Sequence, residues 1–342
     1  MSEEKKKLED YGKFALISHL TEGFETKNNS TKVALHDDAA VLGLSENKTV
    51  VANSVLVEGI HFDMMYTPLK HLGYKAVTTA MANIVAMNAT ARQIIVNVAI
   101  SSRYTIEAME EFFDGIRIAC EHHGLDLVST DISSSVSGMM ISTTAIGEAE
   151  EKKLATRSGA KVYDLLCASG DFGSAYAGLL ILEREKATYK ANPQFQPDLS
   201  SHEYVVERFL KPEPRTDIVK WFNENNIVPT SMINVADGLA SAAMTICRES
   251  HCGCEIYEEK IPIDYGTTHV CTDFGPNMLP TSFAMNGGGD NEVLFTISQN
   301  DYEKVKNCES ISIIGHITEE ARGAIMVTPQ NSAIELKAQG WK

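Results

Sequence analysis

Leu35-His36-Asp37-Asp38-Ala39-Ala40-Val41 is the stretch from which this chain is best read. Two adjacent carboxylates stand just ahead of a small apolar run. Four later segments repeat that build, with a turn of small residues at the edge of an apolar run and an acid expected at its tip. The acid is present at Asp131 and Asp237, while Ser54, Asn83 and Asn234 carry a short neutral side chain where an acid would make sense. Mg²⁺ takes oxygen ligands, typically a few carboxylates with phosphate oxygens and water. The pattern therefore reads as a magnesium–phosphate site from which part of the negative charge has been removed.

The rest of the chain sets the frame. Its 342 residues imply two domains, since single cores rarely grow past about 250–300 residues. It is 44% hydrophobic and 22% charged, the balance of a soluble globular protein. The net charge of −16, from 30 basic and 46 acidic residues, disfavours nucleic acid and anionic membranes as partners. No apolar run approaches the roughly 20 residues of a spanning helix. The opening Met1 to Asp10 has no apolar signal-peptide core. Seven scattered cysteines, with Cys252-Gly253-Cys254 the only close pair, match no zinc spacing. A cytoplasmic protein with reduced thiols is expected.

Periodicity predicts an alternation of strands and helices. Strands are expected at 50–57, 94–100, 125–129 and 139–146, and a buried helix at 69–87. A second helix begins at Thr105, which is an N-cap candidate followed by acids in the first turn. The charged run 147–153 marks a domain boundary, giving domains 1–148 and 149–342. The second half restarts with a strand at 163–168, the turn Gly170-Asp171-Phe172-Gly173 and a helix at 174–184. A polar excursion over 186–201 precedes helices at 202–210 and 215–225. A strand at 232–235, a helix from Asp237 to Ser250 and strands at 293–297 and 311–314 complete the reading. The implied class is α+β, with two sandwich-like domains.

Phosphoryl transfer asks little covalent chemistry of a protein; it asks for positioning and positive charge. Carboxylates on several turns, converging on one cleft, would suffice. Arg157 offers a guanidinium for a phosphate, and Asp237 opens a helix whose dipole favours anions. Taken singly, each residue has a plainer reading. Asp237 is a helix cap, Asp37-Asp38 a loop pair and Arg157 a surface charge. His61 is a packing histidine and Trp341 an anchoring aromatic. Their order and number carry the inference.

That order resembles the thiamine-monophosphate kinase family, within the aminoimidazole-ribonucleotide-synthetase superfamily. The matching segments include Asp37-Asp38-Ala39-Ala40-Val41, residues 56–62, Ala86-Met87-Asn88-Ala89, Val128 to Asp131 and residues 144–148. They continue with Arg157-Ser158-Gly159-Ala160, Lys211-Pro212-Glu213-Pro214-Arg215 and Asp237-Gly238-Leu239. Gly287-Gly288 with Asp290 and Glu292, and Ile313-Ile314-Gly315, complete the set. The resemblance spans about residue 12 to Trp341. It implies an N-terminal α+β domain, carrying the nucleotide and metal site, that dimerises through its sheet, and a C-terminal α/β sandwich domain. It also implies ATP, Mg²⁺ and thiamine phosphate as ligands, with the γ-phosphoryl group passing to thiamine phosphate to give thiamine diphosphate.

Carried over by position, the resemblance makes Asp37, Asp38, Asp131 and Asp237 the metal carboxylates. Thr130, Asp131, Arg157 and Ala236 become nucleotide contacts, and His61, Gly289 and Trp341 substrate contacts. The departures cluster at the ligands. The family's Thr-Asp is Asn53-Ser54, its Ser-Asp is Ala82-Asn83, and its Asp-Ile-Ser-Asp-Gly begins at Asn234. Its Gly-Gly-Glu-Asp-Tyr-Glu is Gly287 to Glu292, with Gly289 in place of a carboxylate and Asn291 in place of Tyr. A carboxylate about 4 Å from a unit charge is worth roughly 4 kcal/mol gross at an effective dielectric of 20. Losing several should weaken Mg²⁺ binding and transfer by orders of magnitude. Two main readings follow, beside a third in which the scaffold is kept and the substrate changed, since His36, Thr130 and Ile132 would reshape the floor of the site. One is a kinase with a reduced metal set, acting as a homodimer. The other is a silent paralogue that binds nucleotide or thiamine phosphate, or regulates an active relative in a mixed dimer.

Overall fold

The computed structural model describes residues 19–33, 41–43, 47–194 and 197–338. The chain forms two compact units. One runs to Ile84 and resumes over Ala89–Glu151; the other comprises Val85–Asn88 and the chain from Lys152 onward.

The first unit begins with a short antiparallel pair, β1 (Thr31–Val33) and β2 (Val41–Leu42). There follow β3 (Lys48–Val57), α1 (Leu69–Val85), β4 (Thr90–Ile100), α2 (Ile106–His123), β5 (Asp126–Ser134) and β6 (Met139–Ala149). The main sheet has the order β3-β6-β4-β5. β6 is antiparallel to both its neighbours; β4 and β5 are parallel, with α2 as the crossover a parallel pair requires. Thr105 caps α2 by accepting from Ala108 N at 3.3 Å. Leu72, Ala76, Val77, Ala80 and Ile84 form a fully buried stripe on α1, at the spacing of one helix face. The two helices touch backbone to backbone. A Cβ on Gly73 would lie 1.9 Å from the Phe112 carbonyl oxygen, and one on Gly115 1.9 Å from that of Lys70.

One face of this sheet is covered through Leu56, Ile94, Val96, Val98 and Ile141. The other face is open, with Val51 60%, Val55 48% and Met140 46% exposed. The expected charged break at 147–153 starts later than charge alone suggests. β6 continues to Ala149, paired with Lys48–Val50, and a single 3₁₀ turn follows at Glu151–Lys153. Gly147 lies within that strand because a Cβ there would meet Ile84 Cγ2 at 2.5 Å and Thr90 O at 2.7 Å.

The second unit holds β7 (Leu165–Ser169), α3 (Ser174–Ala191), α4 (Glu203–Leu210), α5 (Thr216–Asn225), β8 (Ser231–Val235) and α6 (Leu239–Ser250). These are followed by β9 (Gly253–Tyr257), α7 (Tyr265–Phe274), α8 (Pro280–Asn286), β10 (Glu292–Ile297), α9 (Tyr302–Val305), β11 (Ile311–Thr318), β12 (Ala324–Val327) and β13 (Ala333–Glu335). The sheet order is β13-β12-β9-β11-β7-β10-β8. Neighbours are antiparallel except β9 and β12. All six residues of β10 are buried, as suits a strand covered on both faces. Leu239, Ala243 and Ile246 of α6 share a core with Ile233, Ile256 and Leu294. Phe222 of α5 meets Phe295 edge-on at 5.0 Å. α3 outruns its expected end at Arg184 by seven residues, through Glu185 to Ala191. Those nearly two turns are mostly polar, so the apolar period fades while the backbone stays helical.

Candidate active site

The turn between β8 and α6 is the best-built part of the predicted site. Gly238 has φ 87°, and a Cβ on it would lie 2.5 Å from Met285 O. Only glycine fits both the backbone and the space. Gly289 N donates to Ala236 O at 2.9 Å, and a Cβ on Gly288 would meet that same oxygen at 2.7 Å. The glycine run 287–289 thus lies flat against the 236–238 turn. A cleft of about 560 Å³ opens beside it, lined by Tyr176, Asp237, Ser241, Met278, Phe283 and Gly288 among others. Asp237 is exposed in this cleft, and α6 has no side-chain cap hydrogen bond. The capping role that a helix-start Asp usually fills is not the one Asp237 performs.

Two signature residues nearby serve the fold. Asp290 is completely buried and accepts from Gly173 N at 2.8 Å and Ala175 N at 2.9 Å, at the start of α3. Burial pushes its carboxyl up to about 6, against the pull of Arg208 and of those two N–H groups. Glu292 is clamped by Arg208 Nη2 at 2.8 Å and Arg215 Nη1 at 2.6 Å, and accepts from Ser169 Oγ at 2.5 Å. Burial works against the charge on both arginines. Glu292 with Asp171 for Arg208, and Asp217 with Glu292 for Arg215, hold the guanidinium groups above their ordinary value. Asp171 accepts from Ser174 Oγ and Tyr204 OH, extending the network.

Asn234, on β8, donates through Nδ2 to Asn291 Oδ1 at 3.3 Å, and Asn291 Nδ2 donates to Gly289 O at 3.1 Å. Both backbone polar groups of Gly289 are therefore engaged. Arg157 is placed elsewhere in this unit. Its carbonyl accepts from Ser250 Oγ at 3.2 Å, at the far end of α6 from Asp237. About 18 Å of helix separates the two ends. Within this unit the structure brings Asp237, Ala236, Gly289 and Asn234 together, and leaves Arg157 apart.

In the first unit the candidate positions lie inside regular elements rather than at turn tips. Asn53 and Ser54 are in β3, Thr130 and Asp131 in β5, and Asn83 in the last turn of α1. One row across the sheet runs Ser54–Thr143–Val96–Thr130, and the next runs Val55–Ser142–Asn97–Asp131. Side chains alternate between faces. Asn53 and Asp131 therefore share the open face, with Ser54 and Thr130 on the other. The Thr130 hydroxyl donates to Val96 O at 2.6 Å, Asn97 Oδ1 accepts from Asp131 N at 3.1 Å, and Thr144 Oγ1 donates to Asn53 Oδ1 at 2.7 Å.

His61 is exposed and not a packing histidine. Its Nδ1 accepts from Val57 N at 3.0 Å, which sets the Nε2–H tautomer and points a donor outward. Glu58 holds this turn by accepting from Tyr104 OH at 2.7 Å, Met139 N at 2.7 Å and Arg103. Burial raises its carboxyl, but these three donors bring it below its ordinary value. Sequence periodicity gave no sign of Glu58, Tyr176 or Ser241, whose neighbours are distant in the chain. Asp37, Asp38 and Trp341 lie outside the described residues. No helix among the described residues is long and apolar enough to cross a membrane.

Comparison with known proteins places this geometry. The family described as AIR synthase related protein, N-terminal domain, matches residues 36–149. Thiamine-monophosphate kinase of Bacillus subtilis is 28% identical over 323 residues, covering 92% of this chain and 94% of that one. The same-named protein of Aquifex aeolicus is 27% identical over 336 residues, covering 98% and 99%. A solved structure, AaThiL complexed with AMPPCP and TMP, is 26% identical with a TM-score of 0.74 and covers 97% of each chain.

Proposed function

Because this chain belongs to the thiamine-monophosphate kinase family, we propose that it binds ATP and thiamine phosphate and moves the γ-phosphoryl group onto the latter's phosphate, with a reduced metal set. The observation that carries this reading is the cleft at the β8–α6 turn, where Asp237 is exposed, uncommitted to capping, and backed by the glycine run 287–289. The bond formed joins the γ-phosphorus to a thiamine-phosphate oxygen, and the bond broken is the β–γ bridge of ATP. Asp37, Asp38, Asp131 and Asp237 each offer carboxylate oxygens of the kind a hard divalent cation takes, and Mg²⁺ bound to such oxygens would supply positive charge over the phosphates.

His61 presents its Nε2–H to the substrate's phosphate, oriented by the Val57 hydrogen bond. Thr130 and Ala236 serve the nucleotide, with Arg157, at the other end of α6 from Ala236, assigned to it from the resemblance alone, and Gly289 and Trp341 serve the substrate. Domains 1–148 and 149–342 divide the labour, with the open face of the N-terminal sheet, where Val51 and Val55 are bare, as the homodimer surface. The protein acts in the cytoplasm.

The neutral Ser54, Asn83 and Asn234 favour a second reading. In it the chain binds nucleotide or thiamine phosphate without turnover, or regulates an active relative in a mixed dimer. The test is thiamine diphosphate formation with excess Mg²⁺-ATP, comparing the protein with Asp131→Asn. Turnover that vanishes in the variant supports the kinase. No turnover from folded protein, with thiamine phosphate still bound, moves the chain to the second reading.

A further inference from the structure

Outside the family's signature segments, α7 and the turn leading into α4 assemble a different set of donors. His269 and Asp273 stand one helical turn apart on α7 and so share a face. His202, immediately before α4, faces them. His202 Nε2 lies 3.4 Å from Asp273 Oδ2, and His269 Nε2 lies 3.9 Å from Asp273 Oδ1. The two imidazoles stack at 5.4 Å with 27° between planes, and Tyr265 stacks on the outer side of His269. One ligand atom from each of the three residues falls within 4.8 Å of the others.

We propose that His202, His269 and Asp273 form a divalent transition-metal site, of the zinc class, that ties the start of α4 to α7. Two imidazole nitrogens and one carboxylate oxygen suit zinc or cobalt and do not suit magnesium, which prefers oxygen alone. A tetrahedral ion at about 2.0–2.1 Å from each donor sets its ligand atoms about 3.4 Å apart. The His202 Nε2–Asp273 Oδ2 edge has that length already, and the edges to His269, which lie within 4.8 Å, close by rotation of its side chain. His202 has 4% of its side chain exposed, and its Nδ1 is buried without a hydrogen-bond partner among the described residues. Burial, chiefly, and Arg184 next lower its proton affinity, which favours the neutral imidazole that ligates metals. A water fills the fourth position, as in sites with three protein ligands.

Arg184 is the opposing group. Its Nη1 stands 4.0 Å from Asp273 Oδ2, and its Nε is tied to Glu185 at 2.9 Å. Its charge competes with the metal for one carboxylate oxygen, so Arg184→Gln tightens binding.

The experiment titrates the whole protein with Co²⁺, with Mg²⁺ in excess to fill oxygen-only positions, and reads visible d–d absorption. About one Co²⁺ per chain with tetrahedral bands is expected, displaced by Zn²⁺. His269→Ala and Asp273→Asn change side chains 40% and 32% exposed, so the core stays intact. Each should weaken binding by at least about tenfold. Thermal melting confirms that both variants are folded, and added Zn²⁺ raises the midpoint of the parent alone. Three results would overturn the site. They are no absorption from the parent, unchanged affinity in both variants, or an intense thiolate-to-cobalt band that assigns the ion to the cysteines.

Discussion

Asn234 donates its amide hydrogen to Asn291 Oδ1 across 3.3 Å, at two positions where the resemblance expects Asp and Tyr. The two side chains fit each other. A carboxylate at 234 has no hydrogen to give, and would set an oxygen against the Asn291 oxygen in a nearly buried place. Without metal, Asn234→Asp should therefore lose about 1–3 kcal/mol of stability. Mg²⁺ should return part of that loss if position 234 faces the metal. Thermal melting with and without Mg²⁺ checks both halves, and a melt indifferent to Mg²⁺ removes position 234 from the metal set.

Restoring all the charge is a stronger trial. Ser54→Asp, Asn83→Asp and Asn234→Asp together should raise Mg²⁺ affinity by an order of magnitude or more, given the size of close carboxylate–cation interactions. Calorimetric titration measures this directly. Equal affinity in the triple variant and the parent would refute the charge-loss argument.

Glu292 sits between Arg208 and Arg215 with 3% of its side chain exposed. Glu292→Gln leaves two buried guanidinium groups short of their counter-charge. The expected cost is about 3–5 kcal/mol, seen as a fall in the urea midpoint. A change below about 1 kcal/mol would show that the arginines find other partners.

Asp290 makes stability depend on pH in an unusual direction. In the folded chain its carboxyl is raised from 3.8 to about 6, so the native state binds its proton more tightly than the unfolded state. The contribution is fully present below about pH 4 and is lost as pH rises through 6. At pH 7 the ionised, buried form costs about 3 kcal/mol. Asp290→Asn should flatten stability between pH 4 and 6, while retaining an acceptor for one of the two N–H groups at α3. Denaturation series across that window test the sign.

Gly73 and Gly115 let α1 and α2 meet with their backbones in contact. Gly73→Ala places a methyl group 1.9 Å from Phe112 O, so the helices must part. A loss of about 1–3 kcal/mol or more is expected, with the covered face of the N-terminal sheet loosened. Hydrogen exchange along β4 and β6 would report it.

Elements with a strong period were legible. β3 and α1 lie close to their expected positions, and Thr105 caps α2. β9 was not anticipated, because Gly253-Cys254-Glu255 breaks the alternation that marks a strand. α7 was missed because its buried Thr267, Val270 and Cys271 give a weak apolar stripe. The place of Asp237, in a turn just ahead of a helix, was legible. The roles of Asp290 and Glu292 were not, because their partners at 173, 175, 208 and 215 are brought near only by folding. Asp131, expected at a turn tip, is inside a strand for a related reason. β5 continues through Ser134 on the strength of pairing with β4, which its own polar residues do not advertise.

The clamp on Glu292 bears on how such chains diverge. Selection for a folded second unit alone would retain Arg208, Arg215, Asp290 and Glu292, whether or not a phosphoryl group is ever moved. These residues record descent. Positions 54, 83 and 234, where the resemblance expects a carboxylate, carry neutral side chains, and at 234 that side chain holds Asn291.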